Sequence, residues 1–162
     1  MIIANLPYNV GTPLLVNWLK SGSWRGEMAL MFQKEVALRI CAKPGTAHYG
    51  RLAVLAHAVT SPHIAFTLPP GAFKPPPKVD SAVAVLTPLP EDEQFKDLAT
   101  LEKLTAAAFG QRRKMLRRSL KGLATAHGLS VETWLQDAGI NPTARAETIE
   151  QAEWRALASS LT

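Results

Sequence analysis

The feature that most constrains the fold is an alternation of short apolar segments with helical patterns, confined to the first ninety residues. The apolar segments have the length and residue types of strands, and they lie at 2–4, 27–32, 63–68 and 81–87. Helical patterns follow the first two of them, at about 11–20, 33–42 and 51–59. Helices between strands predict an α/β sheet, and the last two strands, which have no helix between them, are predicted to pair antiparallel.

The pattern changes after Pro88. A polar segment at 90–93 interrupts the chain, and every periodic segment beyond it is helical. These helices are predicted at about 95–109, 111–124, 130–138 and 149–160. The sequence therefore predicts the later half of an α/β domain at 1–92, followed by a small all-helical domain at 93–162.

Composition narrows the class of protein. The 162 residues carry a formal net charge of +5, which is a weak indication of an anionic partner. The one cysteine, Cys41, excludes an internal disulfide and is compatible with a reducing compartment. The four histidines lack the spacing of metal ligands, so no metal is predicted. No secretory signal or membrane-spanning segment is recognisable, and we expect a cytoplasmic protein.

The first candidate site is the sequence Asn5-Leu6-Pro7-Tyr8, which follows the first predicted strand. Open α/β sheets bind ligands beyond the carboxyl ends of their strands. There the Asn5 amide oxygen and the Leu6 carbonyl could both accept hydrogen bonds from one exocyclic amino group, because Pro7 has no N–H to compete. Tyr8 offers a flat face on which a base could stack. Taken alone, these four residues are equally well explained as an ordinary turn after a strand.

Two hydrogen-bond acceptors on an adenine amino group would make its nitrogen, N6, a better nucleophile. The lone pair of adenine N6 is delocalised into the ring, which makes that nitrogen a poor nucleophile. Hydrogen bonds that favour a pyramidal nitrogen localise the lone pair for in-line attack on a methyl group, and they stabilise the transition state more than the ground state. No strong general base is needed, because the proton becomes acidic once the nitrogen is alkylated.

A second candidate is the segment AFKPPPKVDSAV at 72–83. Phe73 precedes a stiff, extended proline run, which could hold its ring as the second half of a base sandwich with Tyr8. Lys74 and Lys78 could contact phosphates. The alternative is a rigid loop at the edge of the sheet with an ordinary packed phenylalanine.

A third candidate is a cluster of six cations within ten residues. Its members are Arg112, Arg113, Lys114, Arg117, Arg118 and Lys121. On the predicted helix at 111–124, four of them share the spacing i, i+3, i+4, i+7, starting at Lys114, and so would lie on one face. Such a face suits RNA phosphates, which provide affinity with little reading of sequence. As a charge run alone, a solvated amphipathic helix is the more ordinary interpretation.

Together these segments resemble a known family, the ribosomal RNA adenine N6,N6-dimethyltransferases of the KsgA type, with the erythromycin-resistance methylases as more distant relatives. The resemblance covers nearly the whole chain. It rests on segments in family order: NLPYNVGTPLL (5–15), MFQKEVALRICAKPGTAHYGRLAV (31–54), FKPPPKVDSAV (73–83), AFGQRRKMLRRSLK (108–121) and RAETI (145–149).

The resemblance implies a function for each candidate. Asn5, Leu6, Pro7 and Tyr8 would form the target-adenine motif, Phe73 would be the opposing aromatic, and Asn5 would also border the methyl donor, S-adenosylmethionine. The family substrate is a pair of adjacent adenosines near the 3′ end of small-subunit rRNA, each methylated twice. The fold implied is the C-terminal part of a Rossmann-like methyltransferase sheet, followed by a helical domain that docks on the rRNA of the pre-ribosomal small subunit.

The chain departs from the family in one respect. Family members begin with a glycine-loop unit that binds the donor, whereas no two glycines here stand in a Gly-x-Gly arrangement. We therefore expect a truncated protein that is inactive alone and whose incomplete sheet could self-associate. Two functional hypotheses remain from the sequence: part of an rRNA adenine dimethyltransferase, or a non-catalytic rRNA-binding module. An incompletely folded fragment is a third and blander possibility.

Overall fold

The computed structural model describes residues 1–22 and 24–162. Its first part alternates strands and helices. These elements are β1 (Ile2–Asn5), α1 (Gly11–Lys20), β2 (Met28–Gln33), α2 (Lys34–Cys41), α3 (Arg51–His57), β3 (Thr60–Leu68) and β4 (Ser81–Pro88). The second part is helical. It comprises α4 (Leu98–Gly110), α5 (Leu116–Ser119), α6 (Lys121–Ala126), α7 (Val131–Asp137) and α8 (Gln151–Ser159).

The four strands form one sheet in the order β1-β2-β4-β3. Strands β1 and β2 are parallel, while β4 pairs antiparallel with both β2 and β3. The predicted antiparallel pairing of the last two strands is thus confirmed, and so is the α/β class. Strand β3 begins at Thr60 rather than at the predicted residue 63, and it includes Pro62. Proline is tolerated there because β3 lies at the edge of the sheet.

One face of the sheet is the core face. Side chains of β2 and β4 that point to it are fully buried, including Met28, Leu30 and Leu86. Helices α2 and α3 pack against the sheet. On the opposite face, Asn5, Met31 and Val83 lie side by side on three neighbouring strands and are less buried. Asn5 therefore belongs to the less covered face, at the end of an edge strand.

The helical part has its own apolar interior, which is continuous with the core of the sheet region. Asp97 caps the N-terminus of helix α4, and its side chain accepts a hydrogen bond from the Thr100 N–H (3.0 Å). Leu101 and Leu104 on α4 are completely buried, and α4 packs against α3 and α8. Helix α4 therefore connects the two parts, because it packs both against α3 of the sheet region and against α8 of the helical part.

The predicted helix at 111–124 is wrong. Residues 111–114 form a turn, and two short helices, α5 and α6, follow it. The backbone at Met115 pairs instead with Arg145, and the Leu116 N–H donates to the Ala144 carbonyl (2.8 Å). These tertiary hydrogen bonds satisfy backbone groups that a continuous helix would have satisfied itself, so the local helical pattern is overridden.

The segment between β4 and α4 contains the predicted domain boundary at 92/93, which stays a prediction. Within the described residues, no helix is both long and apolar enough to cross a membrane.

Candidate functional site

A cavity of about 310 Å³ opens at the carboxyl ends of β1 and β2. It brings the first two sequence-predicted segments together, because Asn5, Leu6, Pro7, Tyr8 and Phe73 all line it. The remaining lining residues are Met31, Phe32, Pro75, Pro77 and Ser81. The position is the one at which open α/β sheets bind ligands.

The turn after β1 is fixed by its backbone. The Leu6 N–H donates to the Met31 carbonyl (3.3 Å), which extends the β1–β2 pairing by one residue beyond the strand. The Pro7 carbonyl accepts from the N–H groups of Val10 (3.2 Å) and Gly11 (3.0 Å), which leads the chain into α1. The turn is therefore held on both sides, and the Leu6 side chain is buried beneath it.

Gly11 allows this turn to lie close to the cavity wall. A Cβ atom at this position would stand 3.2 Å from the Phe32 ring and 3.3 Å from the Leu6 Cβ. A larger residue would thus displace either the ring that lines the cavity or the Leu6 side chain. The absence of a side chain at Gly11 therefore allows this close packing.

Two acceptors at the cavity have no partner of their own. Within the part of the chain that the structure describes, neither the Asn5 side chain nor the Leu6 carbonyl takes part in a hydrogen bond. The Asn5 residue is exposed, and so is Tyr8, which leaves its ring accessible from solvent. The cavity lining therefore combines two residues with available oxygen acceptors and two aromatic residues, exposed Tyr8 and half-buried Phe73, which suits a planar base with an amino group.

The two loop lysines, Lys74 and Lys78, are exposed and do not line the cavity. They lie on the loop that carries Phe73, at the rim of the same end of the sheet. No ion pair is made by either of them among the described residues.

The six predicted cations divide into two groups. Five of them are exposed and make no side-chain hydrogen bond or ion pair within residues 1–22 and 24–162. These five are Arg113, Lys114, Arg117, Arg118 and Lys121, and we call them the cationic surface. Arg112 differs, because its guanidinium donates to Glu147 and to the Ala47 carbonyl. The predicted single helical face is wrong, since Lys114 precedes α5 and Lys121 begins α6.

One cation was missed by the sequence analysis. Arg145 lies 31 residues beyond Lys114 in sequence, yet its backbone pairs with Met115, and its side chain is exposed. The pairing places it beside the cationic surface. No local pattern around Arg145 indicates this, because the contact depends on a tertiary bridge.

Burial perturbs titratable groups that lie outside the cavity, among them Cys41 and His57. It raises the pKa of the Cys41 thiol to about 11, so this cysteine is protonated at neutral pH and is not an activated nucleophile. Burial also lowers the pKa of His57, at the end of α3. Over the described ranges, no group of three or more His, Cys, Asp or Glu residues is placed to hold a metal ion.

The fold is that of solved methyltransferases. A dimethyladenosine transferase from Plasmodium falciparum superposes with a TM-score of 0.78 over 97% of this chain and 65% of that chain, at 21% sequence identity. The 23S rRNA methyltransferase ErmE superposes with a TM-score of 0.63 over 98% of this chain and 64% of that one, at 24% identity. The α/β sheet and its helical extension therefore have the fold of these methyltransferases, which confirms the predicted fold class.

Sequence comparison identifies the family. The family described as ribosomal RNA adenine dimethylase matches residues 1–162. Two similar proteins, both named ribosomal RNA small subunit methyltransferase A, come from Maricaulis maris (52% identity) and Agrobacterium fabrum (56%). These alignments cover 98% and 99% of this chain, and 55% and 56% of the respective relatives. The chain belongs to the ribosomal RNA adenine dimethylase family, and it spans about half the length of the curated relatives it matches.

Proposed function

We propose that this chain carries the target-adenine site and the rRNA-binding surface of an S-adenosylmethionine-dependent methyltransferase. The substrate would be two adjacent adenosines near the 3′ end of small-subunit rRNA, each dimethylated at N6. The observation that carries the proposal is a pair of acceptors, the Asn5 amide and the Leu6 carbonyl, that have no hydrogen-bond partner in the described part of the chain. They lie at a cavity lined by Tyr8 and Phe73.

In the proposed site the two acceptors activate the target nitrogen, and the two aromatic rings hold the base. The Asn5 Oδ1 and the Leu6 carbonyl oxygen would each accept one N6 hydrogen of the target base. This arrangement directs the N6 lone pair out of the ring plane and so raises its nucleophilicity in the transition state. Tyr8 and Phe73 would hold the flipped base by stacking, which compensates for the stacking it loses in RNA.

The methyl donor is implied by the family, and it supplies an electrophilic methyl group when bound. The cavity fits an acceptor base better than it fits this donor. Among its lining residues there is no carboxylate to pair with the donor's ammonium group, whereas its mainly apolar and aromatic lining with a few polar groups suits a planar base. We therefore assign these residues to the acceptor, with Asn5 alone bordering the donor.

The cationic surface would bind rRNA phosphates, with Arg145 as an additional contact and Lys74 and Lys78 near the target base. Five exposed cations, which have no carboxylate partner among the described residues, concentrate positive charge on one part of the helical region. This arrangement supports docking of a helical domain at 93–162 on the pre-ribosomal small subunit. A cytoplasmic location fits that substrate.

The test compares two RNA hairpins that differ at one position. One carries adenosine at the target position, and the other carries purine riboside, which lacks the N6 amino group. Since two hydrogen bonds are at stake, we expect about tenfold tighter binding of the adenosine RNA. Asn5→Ala should reduce this preference and leave the affinity for the purine RNA unchanged. Asn9→Ala is the matched control, because Asn9 is exposed but does not line the cavity.

Equal affinities of the unmodified chain for the two RNAs would contradict the proposal. The catalytic readout is transfer of a labelled methyl group from S-adenosylmethionine to adenine N6, followed by analysis of the digested RNA. Any transfer should depend on Asn5.

A further inference from the structure

Arg112 and Arg113 are neighbours with the same charge, yet the structure gives them different surroundings. The Arg113 side chain is exposed and makes no hydrogen bond or ion pair among the described residues. The Arg112 side chain is only 39% exposed and is held on two sides. This difference indicates that the two arginines do not have the same task.

The Arg112 guanidinium joins three segments of the chain. Its Nε donates to the Glu147 carboxylate (3.2 Å), and its Nη2 donates to the Ala47 carbonyl (3.1 Å). Ala47 belongs to the loop between α2 and α3, which pack on the sheet. Glu147 lies in the turn before α8, and Arg112 itself is in the turn after α4. Arg112 thus ties the start of the cationic surface to the sheet region.

Other hydrogen bonds join the same segments, and we call this contact between the α2–α3 loop, with Tyr49, and the segment at 146–154 the junction. The Gly45 N–H donates to the Glu147 carbonyl (2.8 Å), so the α2–α3 loop is fixed to the segment at 146–149 by its backbone as well. The buried Tyr49 hydroxyl donates to the Ile149 carbonyl (2.8 Å) and accepts from the Trp154 Nε1–H (3.1 Å). The junction is therefore a packed, hydrogen-bonded contact, and Arg112 lies at its edge next to the cationic surface.

We propose that Arg112 is a positioning residue, which fixes the orientation of the cationic surface relative to the adenine cavity, rather than a phosphate contact. The inference rests on the function proposed above. RNA that binds at two places on one rigid protein gains affinity from the second contact in proportion to its effective concentration. A looser junction would lower that effective concentration without weakening either contact.

The experiment uses the two hairpins described above and the 162-residue chain. The purine RNA reports docking alone, and the ratio of its Kd to that of the adenosine RNA reports how well docking presents the base to the cavity. For Arg112→Lys, we expect the ratio to fall by up to about fivefold, with the purine Kd and its salt dependence unchanged. Lysine keeps the charge but cannot reproduce the forked pair of hydrogen bonds.

Arg113 provides the matched control. Arg113→Lys should leave the Kd for the purine RNA, its salt dependence and the Kd ratio unchanged, because only the charge matters at a phosphate contact. Arg113→Gln should weaken binding of both RNAs alike and reduce the salt slope by about one, with the ratio unchanged.

Glu147→Gln separates positioning from phosphate binding. It removes the carboxylate partner of Arg112, so the positioning role predicts a lower ratio, as in Arg112→Lys. If Arg112 contacted a phosphate, loss of the competing carboxylate would instead strengthen the binding of both RNAs. That result, or a normal ratio in Arg112→Lys, would overturn the inference.

Thermal unfolding is measured for every variant. If Arg112→Lys and Glu147→Gln are both unfolded at the assay temperature, the contact serves folding alone and the inference is overturned. A ratio of one in the unmodified chain would overturn the proposed function, and the inference with it. A ratio above one that neither variant changes would overturn the inference only.

Discussion

The Tyr49 hydroxyl is expected to stabilise the fold more than any other single polar group of the junction. Tyr49 is only 2% exposed, and its hydroxyl bridges the Ile149 carbonyl and the Trp154 indole N–H, which are both buried. In Tyr49→Phe, the ring keeps its edge contact with Phe109, at 6.0 Å between centroids. Two buried polar groups then lack partners, each at a cost of about 1–3 kcal/mol, so we expect a loss of about 3 kcal/mol.

The assay is urea denaturation followed by tryptophan fluorescence, with thermal unfolding as a second measurement. For a chain of this size, the expected loss lowers Tm by about 10 °C. Tyr8→Phe is the matched control, because Tyr8 is exposed and its hydroxyl has no partner among the described residues, so its effect should stay within about 0.5 kcal/mol. If Tyr49→Phe changed the free energy of unfolding as little as the control does, the hydrogen bonds of the junction would not stabilise the fold.

Three further predictions concern pH and packing. Burial raises the pKa of Tyr49 to about 12, so the contribution of the neutral Tyr49 hydroxyl to stability should be lost as pH rises from 10 to 12. If Tyr49→Phe lost stability as steeply as the unmodified chain over this range, the prediction would be refuted. Hydrogen bonds from Lys20 and Arg51 lower the pKa of Glu102, so its stabilisation is present above pH 4.5 and lost as pH falls further. Glu102→Gln should flatten this acid-side loss, which is worth about 1 kcal/mol or less, in denaturation measured from pH 6 to 3. Leu104→Ala should cost about 2–5 kcal/mol in urea denaturation, because Leu104 on α4 is completely buried, and a cost below 1 kcal/mol would mean that the site repacks.

Most strands and helices could be predicted from the sequence, because each depends on its own pattern. The strand at Met28–Gln33 and the helix at Gly11–Lys20 differ from their predicted ranges by no more than one residue. The error in the helix predicted at 111–124 could not have been found from the sequence pattern. Its helical pattern is real, but the backbone at Met115 finds a partner in Arg145, which no local rule reveals.

In the candidate site, too, the residue types could be recognised from the sequence, whereas the contacts between distant segments could not. The residues of the Asn5–Tyr8 turn and Phe73 were recognised by their types, and the structure brings both segments to one cavity. Their roles in binding adenine stay predictions. The sequence could not distinguish Arg112 from Arg113, since their difference is a matter of which carboxylate and carbonyl lie nearby.

The residue pattern alone was enough to infer the α/β class, the change to helices after Pro88, the family and the residues of the candidate adenine site. These depend on local hydrophobic periodicity and on short motifs whose residue types are visible in the printed sequence. The folded chain was needed to reveal the strand order, the break in the basic helix, the position of Arg145 and the hydrogen bonds that hold Arg112 on two sides. The reason is physical: these features depend on backbone and side-chain hydrogen bonds between segments far apart in the chain, and such bonds are determined by packing.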